Sequence, residues 1–280
     1  MRGHAGGAGA IVPGARLRVA FLGPENSFTH EAAESLFGDA ELVPADTITR
    51  VFRMVEGLEV DYGVVPVENS LEGPVGETLD NLARSMLHIA YAVEMKITLV
   101  VAGDPSAGRV YGHPHALGEA GHVLEEVAPG AERVATASTS AAAAEAARSG
   151  GLCVCSRRAA EAHGLPVVRV LEPGVGNMNY TRFIAVGWRD NPRGAERTSL
   201  VAAMPDTPGA LYHWLEPFAR RGVNLKMIYS RPSPSKPWNY IFYVDLEGSR
   251  LDERVAAAVE EAARRSLFLR VLGSYPVRRL

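Results

Sequence analysis

Four short segments concentrate hydroxyl, amide and carboxylate side chains where a strand-like pattern gives way to a helical one. The first is Gly23-Pro-Glu-Asn-Ser-Phe-Thr29. Ser27 or Thr29 suits an N-cap, and the helix opening there would offer free backbone N–H groups to an anion. The second, Glu68-Asn-Ser-Leu-Glu-Gly-Pro74, directly follows the apolar run Tyr62–Val67. It places Glu68, Asn69 and Ser70 at the end of a buried strand, where open α/β sheets bind their ligands. Glu72 reads as a solvated loop charge. The third, Ser138-Thr139-Ser140, opens an alanine-rich helix and by itself is an ordinary cap. The fourth, Asn177-Met-Asn-Tyr-Thr-Arg-Phe183, leads into the strand Phe183–Gly187. Arg182 there suits bidentate pairing with a carboxylate or a surface salt bridge. Polar strand ends combined with several helix starts predict a site for a small acid carrying more than one anionic group.

Other chemistries find less support. His113, His115 and His122 lie close together, but no carboxylate or cysteine completes a metal-binding helix pattern. They read as turn and helix-surface residues, and no metal or cofactor is expected. Cys153 and Cys155 stand two apart on a strand, on one face, and read as small buried residues. So few cysteines fit a reducing compartment. Net charge is 29 − 32 = −3, which recruits neither nucleic acid nor a membrane surface, so local groups must hold an anion. The apolar stretch Ile97–Ala102 is far too short to span a bilayer. A cytoplasmic protein is expected.

The elements that would position these segments alternate. Strand patterns at Arg18–Leu22, Leu42–Val43 and Tyr62–Val67 are followed by helical patterns around Ala32–Phe37, Val51–Leu58 and Val75–Ser85. Ala90–Val101 reads as one strand-like stretch. Arg109–Tyr111, the helix Gly118–Val127, Arg133–Ala135, the helix Ser140–Arg148, Leu152–Cys155 and the helix Arg157–His163 continue the rhythm of a sheet covered by helices. The Gly- and Ala-rich residues 1–16 read as a disordered leader. Asp, Asn, Pro, Gly and Arg collect around Trp188–Arg197, so residues 17–190 are expected to form one domain and 191–197 a linker. Beyond it, strand Ser199–Met204, helix Pro208–Arg221, strands Leu225–Ser230 and Tyr240–Leu246, helix Asp252–Arg265 and strand Phe268–Tyr275 spell βαββαβ over residues 198–275. Residues 276–280 read as a tail.

At its four polar loops the sequence resembles the prephenate dehydratases, from Leu17 to about Tyr275. Gly23-Pro-Glu-Asn-Ser-Phe-Thr29, Pro66-Val-Glu-Asn-Ser-Leu-Glu-Gly73 and Asn179-Tyr-Thr-Arg-Phe183 match three motifs of that family in order. The resemblance implies a two-lobed α/β catalytic domain, built like a type-2 periplasmic binding protein with the site in its cleft. A ferredoxin-like βαββαβ ACT regulatory domain would follow. The implied chemistry converts prephenate to phenylpyruvate with loss of water and carbon dioxide. Thr181 would donate a hydrogen bond to the leaving hydroxyl, with Glu68, Asn69 and Ser70 completing the catalytic set. Ser27, Thr29, Ser138, Thr139, Asn179, Arg182, His113 and Glu119 would bind substrate, and Arg182 is equally suited to a structural role. Gly209, Ala210, Leu211 and Tyr212, together with Asn224 and Ser230, Arg231 and Pro232, would bind an aromatic amino-acid effector, first of all L-phenylalanine. Pro208 and a cap at Asp206 or Thr207 also make good helix grammar there. The family implies a homodimer or homotetramer.

Two stretches depart from the family pattern. Its Ser-His-Pro-Gln-Ala-Leu-x-Gln reads here Gly112-His-Pro-His-Ala-Leu-Gly-Glu119, and its Glu-Ser-Arg-Pro reads Tyr229-Ser-Arg-Pro232. A carboxylate at 119 would repel an anionic substrate unless protonated or paired. An arogenate dehydratase, a prephenate decarboxylase of the same fold and a non-catalytic amino-acid sensor are the competing readings. Thr181 and Glu68–Ser70 favour dehydration over decarboxylation alone.

Overall fold

A computed structural model describes residues 16–171, 178–232 and 240–280. Most of the expected leader and Asn177 of the fourth loop lie outside the described residues. The first lobe runs β1 (Arg18–Leu22), α1 (Phe28–Phe37), β2 (Glu41–Ala45), α2 (Ile48–Glu56), β3 (Tyr62–Asn69), β4 (Gly73–Pro74), α3 (Gly76–Arg84) and β5 (His88–Lys96). The second holds β6 (Leu99–Gly103), β7 (Arg109–Gly112), α4 (Pro114–Glu119), α5 (Gly121–Val127), β8 (Glu132–Ala135), α6 (Thr139–Ser149), β9 (Leu152–Ser156), α7 (Arg157–Ala162) and β10 (Val167–Val170). The chain then returns to the first lobe as β11 (Tyr180–Gly187). Two sheets result, ordered β16-β5-β11-β3-β1-β2 and β10-β6-β9-β7-β8. β16 is the C-terminal strand Val277–Arg279.

Local chemistry accounts for the helix starts. Ser27, Thr47, Ser138 and Ser156 each accept a backbone N–H three residues on, at 3.2, 3.0, 3.0 and 3.1 Å. Pro114 occupies the first turn of α4, where its missing N–H costs nothing. Two expectations are corrected here. The stretch Ala90–Val101 is two strands in different sheets, because the chain crosses between lobes at Ile97-Thr98. The helix expected over Gly118–Val127 is two short helices that meet at Ala120. The strand β10 had no counterpart in the sequence pattern. Cys153 and Cys155 are buried on one face of β9, their Sγ atoms 3.4 Å apart. Their mutual hydrogen bond, reinforced by burial, pushes the Cys153 thiol well above its ordinary pKa.

The C-terminal domain comprises β12 (Arg197–Ala203), α8 (Ala210–Arg220), β13 (Leu225–Pro232), β14 (Tyr240–Glu247), α9 (Glu253–Arg264) and β15 (Phe268–Tyr275), with sheet order β13-β14-β12-β15. α8 begins later than expected. Gly209, with φ of 80°, makes the turn into the helix, so Pro208 and the Asp206/Thr207 cap lie ahead of it. One face of this sheet carries Leu200, Ala202, Val244 and Leu246 against Trp214 and Phe218 of α8 and Val255 and Ala258 of α9. The other face presents Val201, Tyr243, Leu272 and Tyr275 to Val67, Leu79, Leu82 and Ile89 of the first lobe. Backbones nearly touch there: a Cβ on Gly273 would lie 2.3 Å from the Ile89 carbonyl oxygen. The expected tail is instead β16 (Val277–Arg279), which pairs parallel to β5 and covers what would otherwise be that sheet's edge. Among the described residues, no helix is long and apolar enough to cross a membrane.

Candidate active site

Parallel pairing gathers the polar loops. β1, β2 and β3 run parallel, so the loops after β1 (with Ser27) and after β3 (with Ser70) leave one edge of the first sheet. β11 runs antiparallel to β3 and begins at that same edge. In the second lobe β7, β8 and β9 are parallel, so His113, Ser138 and Ser156 also emerge together. Side chains tie the two edges across a cleft. Asn179 Nδ2 donates to Glu119 Oε2 at 3.1 Å, and His115 Nδ1 stands 3.4 Å from Glu72 Oε1. On the other side Ser156 Oγ donates to the Asn26 carbonyl at 3.4 Å, while Arg158 bonds Asn26 Oδ1 at 3.3 Å and Glu34 Oε1 at 2.8 Å. Arg158 holds the Glu34 carboxyl below the usual carboxylate range.

Asn69 is the hub. Its Oδ1 accepts the Leu71 and Glu72 backbone N–H groups at 2.9 and 3.0 Å. Backbone N–H can only donate, so the amide orientation is settled and Nδ2 faces the cleft. Nδ2 donates to Asn179 Oδ1 at 2.7 Å and to Thr181 Oγ1 at 2.9 Å. Thr181 therefore accepts from Asn69, and its own proton is left for a ligand; among the described residues nothing receives it. Ser70, expected in the catalytic set, is committed to the backbone: it donates to the Met178 carbonyl and accepts the Tyr180 N–H, both at 2.9 Å. It positions the start of β11. Ile97 N–H donates to the Asn179 carbonyl at 2.7 Å, which fixes that residue at the crossing between lobes.

Glu68 and Arg182 stand apart from this set, and here the structure corrects the substrate-facing expectation. Thr181 pairs with Asn69, and Arg182 with Glu68. Neighbours on a strand face opposite ways, so both charged residues point away from the cleft. Arg182 Nη2 donates to Glu68 Oε2 at 2.9 Å, and Nη1 lies 2.5 Å from Asp245 Oδ2 in the C-terminal sheet. Burial would lower the Arg182 pKa, but Asp245, Tyr275 and Glu68 more than offset it and the guanidinium stays charged. Asp245 was missed at the sequence level. Its signal was a lone carboxylate inside the apolar run Tyr240–Leu246.

Of the other expected binding residues, Ser27 and Ser138 cap α1 and α6 as described. Thr29 is buried in the first turn of α1, and Thr139 is half-buried at the start of α6. Ser140 Oγ is buried with no hydrogen-bond partner among the described residues. His113 precedes α4, its ring 5.7 Å from that of His115. A Cβ at Gly112 would fall 2.8 Å from Leu117, so α4 packs closer to β7 than a serine allows without movement of Leu117. Asn26, His30 and Arg158 had no sequence signal beyond lying in or near the loops. The His30 ring stacks on Phe21 with centroids 4.6 Å apart and accepts the Asn26 N–H at 3.0 Å.

The expected effector residues are spread along the C-terminal sheet. Gly209 turns into α8, Ala210 and Leu211 are half-buried, and Tyr212 is exposed. Ser230 and Pro232 are exposed on β13. Arg231 differs from its expected role: it faces the first lobe and pairs with Asp80 of α3 through two contacts, 2.8 and 2.9 Å. Tyr229 is half-buried against the same lobe. Asn224, bonded to Glu247 at 3.3 Å, sits at the opposite end of the sheet from Ser230. About 17 Å of strand separates them.

Comparison with known proteins agrees with this geometry. The prephenate dehydratase family model matches residues 19–191 and the ACT domain model residues 198–264. The chain is 42% identical over 270 residues to the bifunctional chorismate mutase/prephenate dehydratase of Aquifex aeolicus, covering 93% of this chain and 74% of that one. It is 37% identical over 270 residues to the prephenate dehydratase of Amycolatopsis methanolica, with 92% and 88% covered. The crystal structure of prephenate dehydratase from Arthrobacter aurescens in complex with L-Phe superposes with a TM-score of 0.83 at 34% identity, over 93% of this chain and 90% of that one. With the cleft geometry, motif order and these similarities in agreement, the chain belongs to the prephenate dehydratase family and carries a C-terminal ACT domain.

Proposed function

We propose that this chain converts prephenate to phenylpyruvate in L-phenylalanine biosynthesis and that an aromatic amino acid regulates it through the ACT domain. The carrying observation is the Asn69–Thr181 hydrogen bond, in which Thr181 accepts and so keeps its own proton free for a ligand. In the reaction the C–C bond to the ring carboxylate breaks and its electron pair enters the ring. The ring hydroxyl departs, takes up a proton and leaves as water. A threonine does not ionise near neutral pH, so Thr181 stabilises the departing oxygen as a preorganised donor. Ser140, whose Oγ has no hydrogen-bond partner among the described residues, and the α1 and α6 starts are suited to hold carboxylates.

Glu119 favours a second substrate. Its exposed carboxylate beside Asn179 repels a dianion but suits arogenate, whose side chain carries an ammonium group. The relative solved with L-Phe supports phenylalanine as the effector. Expected effector residues stand at both ends of one ACT sheet, so symmetric pairing of two copies is the arrangement that would gather them. A cytoplasmic homo-oligomer is the corresponding expectation. The test is turnover: phenylpyruvate should form from prephenate faster than the spontaneous background. Thr181→Ala should lower kcat by about 100-fold or more while the fold persists. Prephenate consumed without phenylpyruvate would instead point to a decarboxylase.

A further inference from the structure

Thr181 faces the cleft, and the residue after it is gripped by the ACT domain. Arg182 is 5% exposed. Its Nη1 contacts Asp245 Oδ2 at 2.5 Å and donates to the Tyr275 hydroxyl at 3.3 Å, while Nη2 holds Glu68. Asp245 is itself fixed, because Ser199 donates to its Oδ1 at 2.5 Å. That uses the only Ser199 proton, so Tyr275 must donate to Ser199 Oγ across their 2.7 Å contact. β14, β12 and β15 thus each lend one side chain to the grip.

Burying such charges is a poor way to stabilise an interface, since apolar side chains of similar volume serve as well or better. The placement offers another reason. Arg182 shares a strand with Thr181, and Glu68 with Asn69, so the pair backs both residues that form the donor. The ladder between β11 and β3 also slips at this point, between Arg182 and Phe183. A bulge disrupts regular pairing, and side-chain anchors then set where the strand end lies.

We propose that Arg182 and Asp245 are a positioning pair for Thr181, through which the ACT sheet holds the end of β11 at the height its hydroxyl needs. Neither residue touches substrate. The inference rests on the dehydratase reading, whose own failure would show first, as absent turnover by the unmodified chain. The test uses the full chain carrying Arg182→Met with Asp245→Leu, which removes both buried charges together, so that neither is left facing an apolar side chain; half-exposed Glu68 and the Ser199 hydroxyl each lose one partner. Melting, KM and kcat for prephenate are measured. The expected result is a folded protein whose KM stays within about threefold while kcat falls about tenfold or more, as small misplacements near a reacting group do. Arg182→Lys, which keeps a cation opposite Asp245, should turn over about fivefold faster than Arg182→Met. A folded double variant with kcat within about twofold of the original would overturn the proposal. If that variant does not fold, Ser199→Ala with Tyr275→Phe decides, because it loosens Asp245 and spares the charges. A kcat about threefold lower at constant KM supports the pair, and unchanged kcat removes it.

Discussion

Asn69→Asp replaces one amide nitrogen by oxygen at nearly constant shape, and its effect follows from four hydrogen bonds. The two accepted from Leu71 and Glu72 N–H survive, so the loop keeps its form. The two donated to Asn179 and Thr181 are lost. The bond to Asn179 has no replacement, while the one with Thr181 reverses direction, so at about 1 kcal/mol net per bond stability should fall by only about 1 kcal/mol. Activity should fall much further. A carboxylate 2.9 Å from Thr181 Oγ1 accepts the threonine proton, so the donor turns from the substrate to the protein. Loss of one preorganised donor costs about 100- to 1,000-fold in kcat, or about 2.7–4 kcal/mol. The added charge acts on binding as well: a like charge about 5 Å away at an effective dielectric of about 20 costs about 3 kcal/mol, so any substrate carboxylate held that close would be repelled. The assay is phenylpyruvate absorbance in alkali after reaction with prephenate, with circular dichroism to verify folding. Folded Asn69→Asp protein turning over within about threefold of the original chain would refute the assigned direction of the Asn69–Thr181 bond.

Two further outcomes are expected. Glu119→Gln can still accept from Asn179 but removes a negative charge from the cleft, so prephenate KM should fall about three- to tenfold while arogenate kcat/KM declines; an unchanged KM ratio for the two acids would show that Glu119 does not face the ligand. His30 has its pKa lowered from 6.5, first by burial and then by Arg158, against the opposing pull of Glu34. Its neutral form is favoured by the fold, so its contribution to stability is present above pH 6.5 and is lost as pH falls through the lower folded value. The urea midpoint should therefore drop between about pH 7.5 and about pH 5.5, and His30→Phe, which keeps the stack on Phe21, should drop less. An equal drop in both proteins would assign the pH dependence elsewhere.

The ACT domain is more than an appendage in this arrangement. Its sheet shares a buried apolar cluster with the first lobe, and β16 joins that lobe's own sheet beyond it. Arginine contacts cross the boundary, among them Arg182 to Asp245, Arg197 to Glu94, Arg231 to Asp80, and Arg270 to the Leu82 and Ser85 carbonyls. Arg231 belongs to a motif expected to meet effector and instead meets α3, while its neighbour Ser230 stays exposed. Alternate residues of one strand thus address solvent and the catalytic lobe, which allows an event on the exposed face to be felt by the other.

Much of this protein was legible from residue order because it depends on near neighbours. Ser27 and Ser138 cap helices because a hydroxyl accepts an N–H three residues on. The βαββαβ unit and the lobes' alternation follow from apolar periodicity, and Thr181 and Asn69 stand out because polar residues end buried strands there. Periodicity also says that Thr181 and Arg182, Asn69 and Glu68, or Ser230 and Arg231 face opposite ways. It cannot say which member faces the ligand, since that depends on the layer packed against each side. The partners that decided it are remote in the chain: Asn69 meets Thr181 across 112 residues, and Arg231 meets Asp80 across 151. The same limit hid the break in Ala90–Val101 and the strand at Val277–Arg279, whose identity lies in the sheets they join. Sequence alone determined most of the elements and the polar loops; tertiary packing decided which side of each strand became the active site and which became its support.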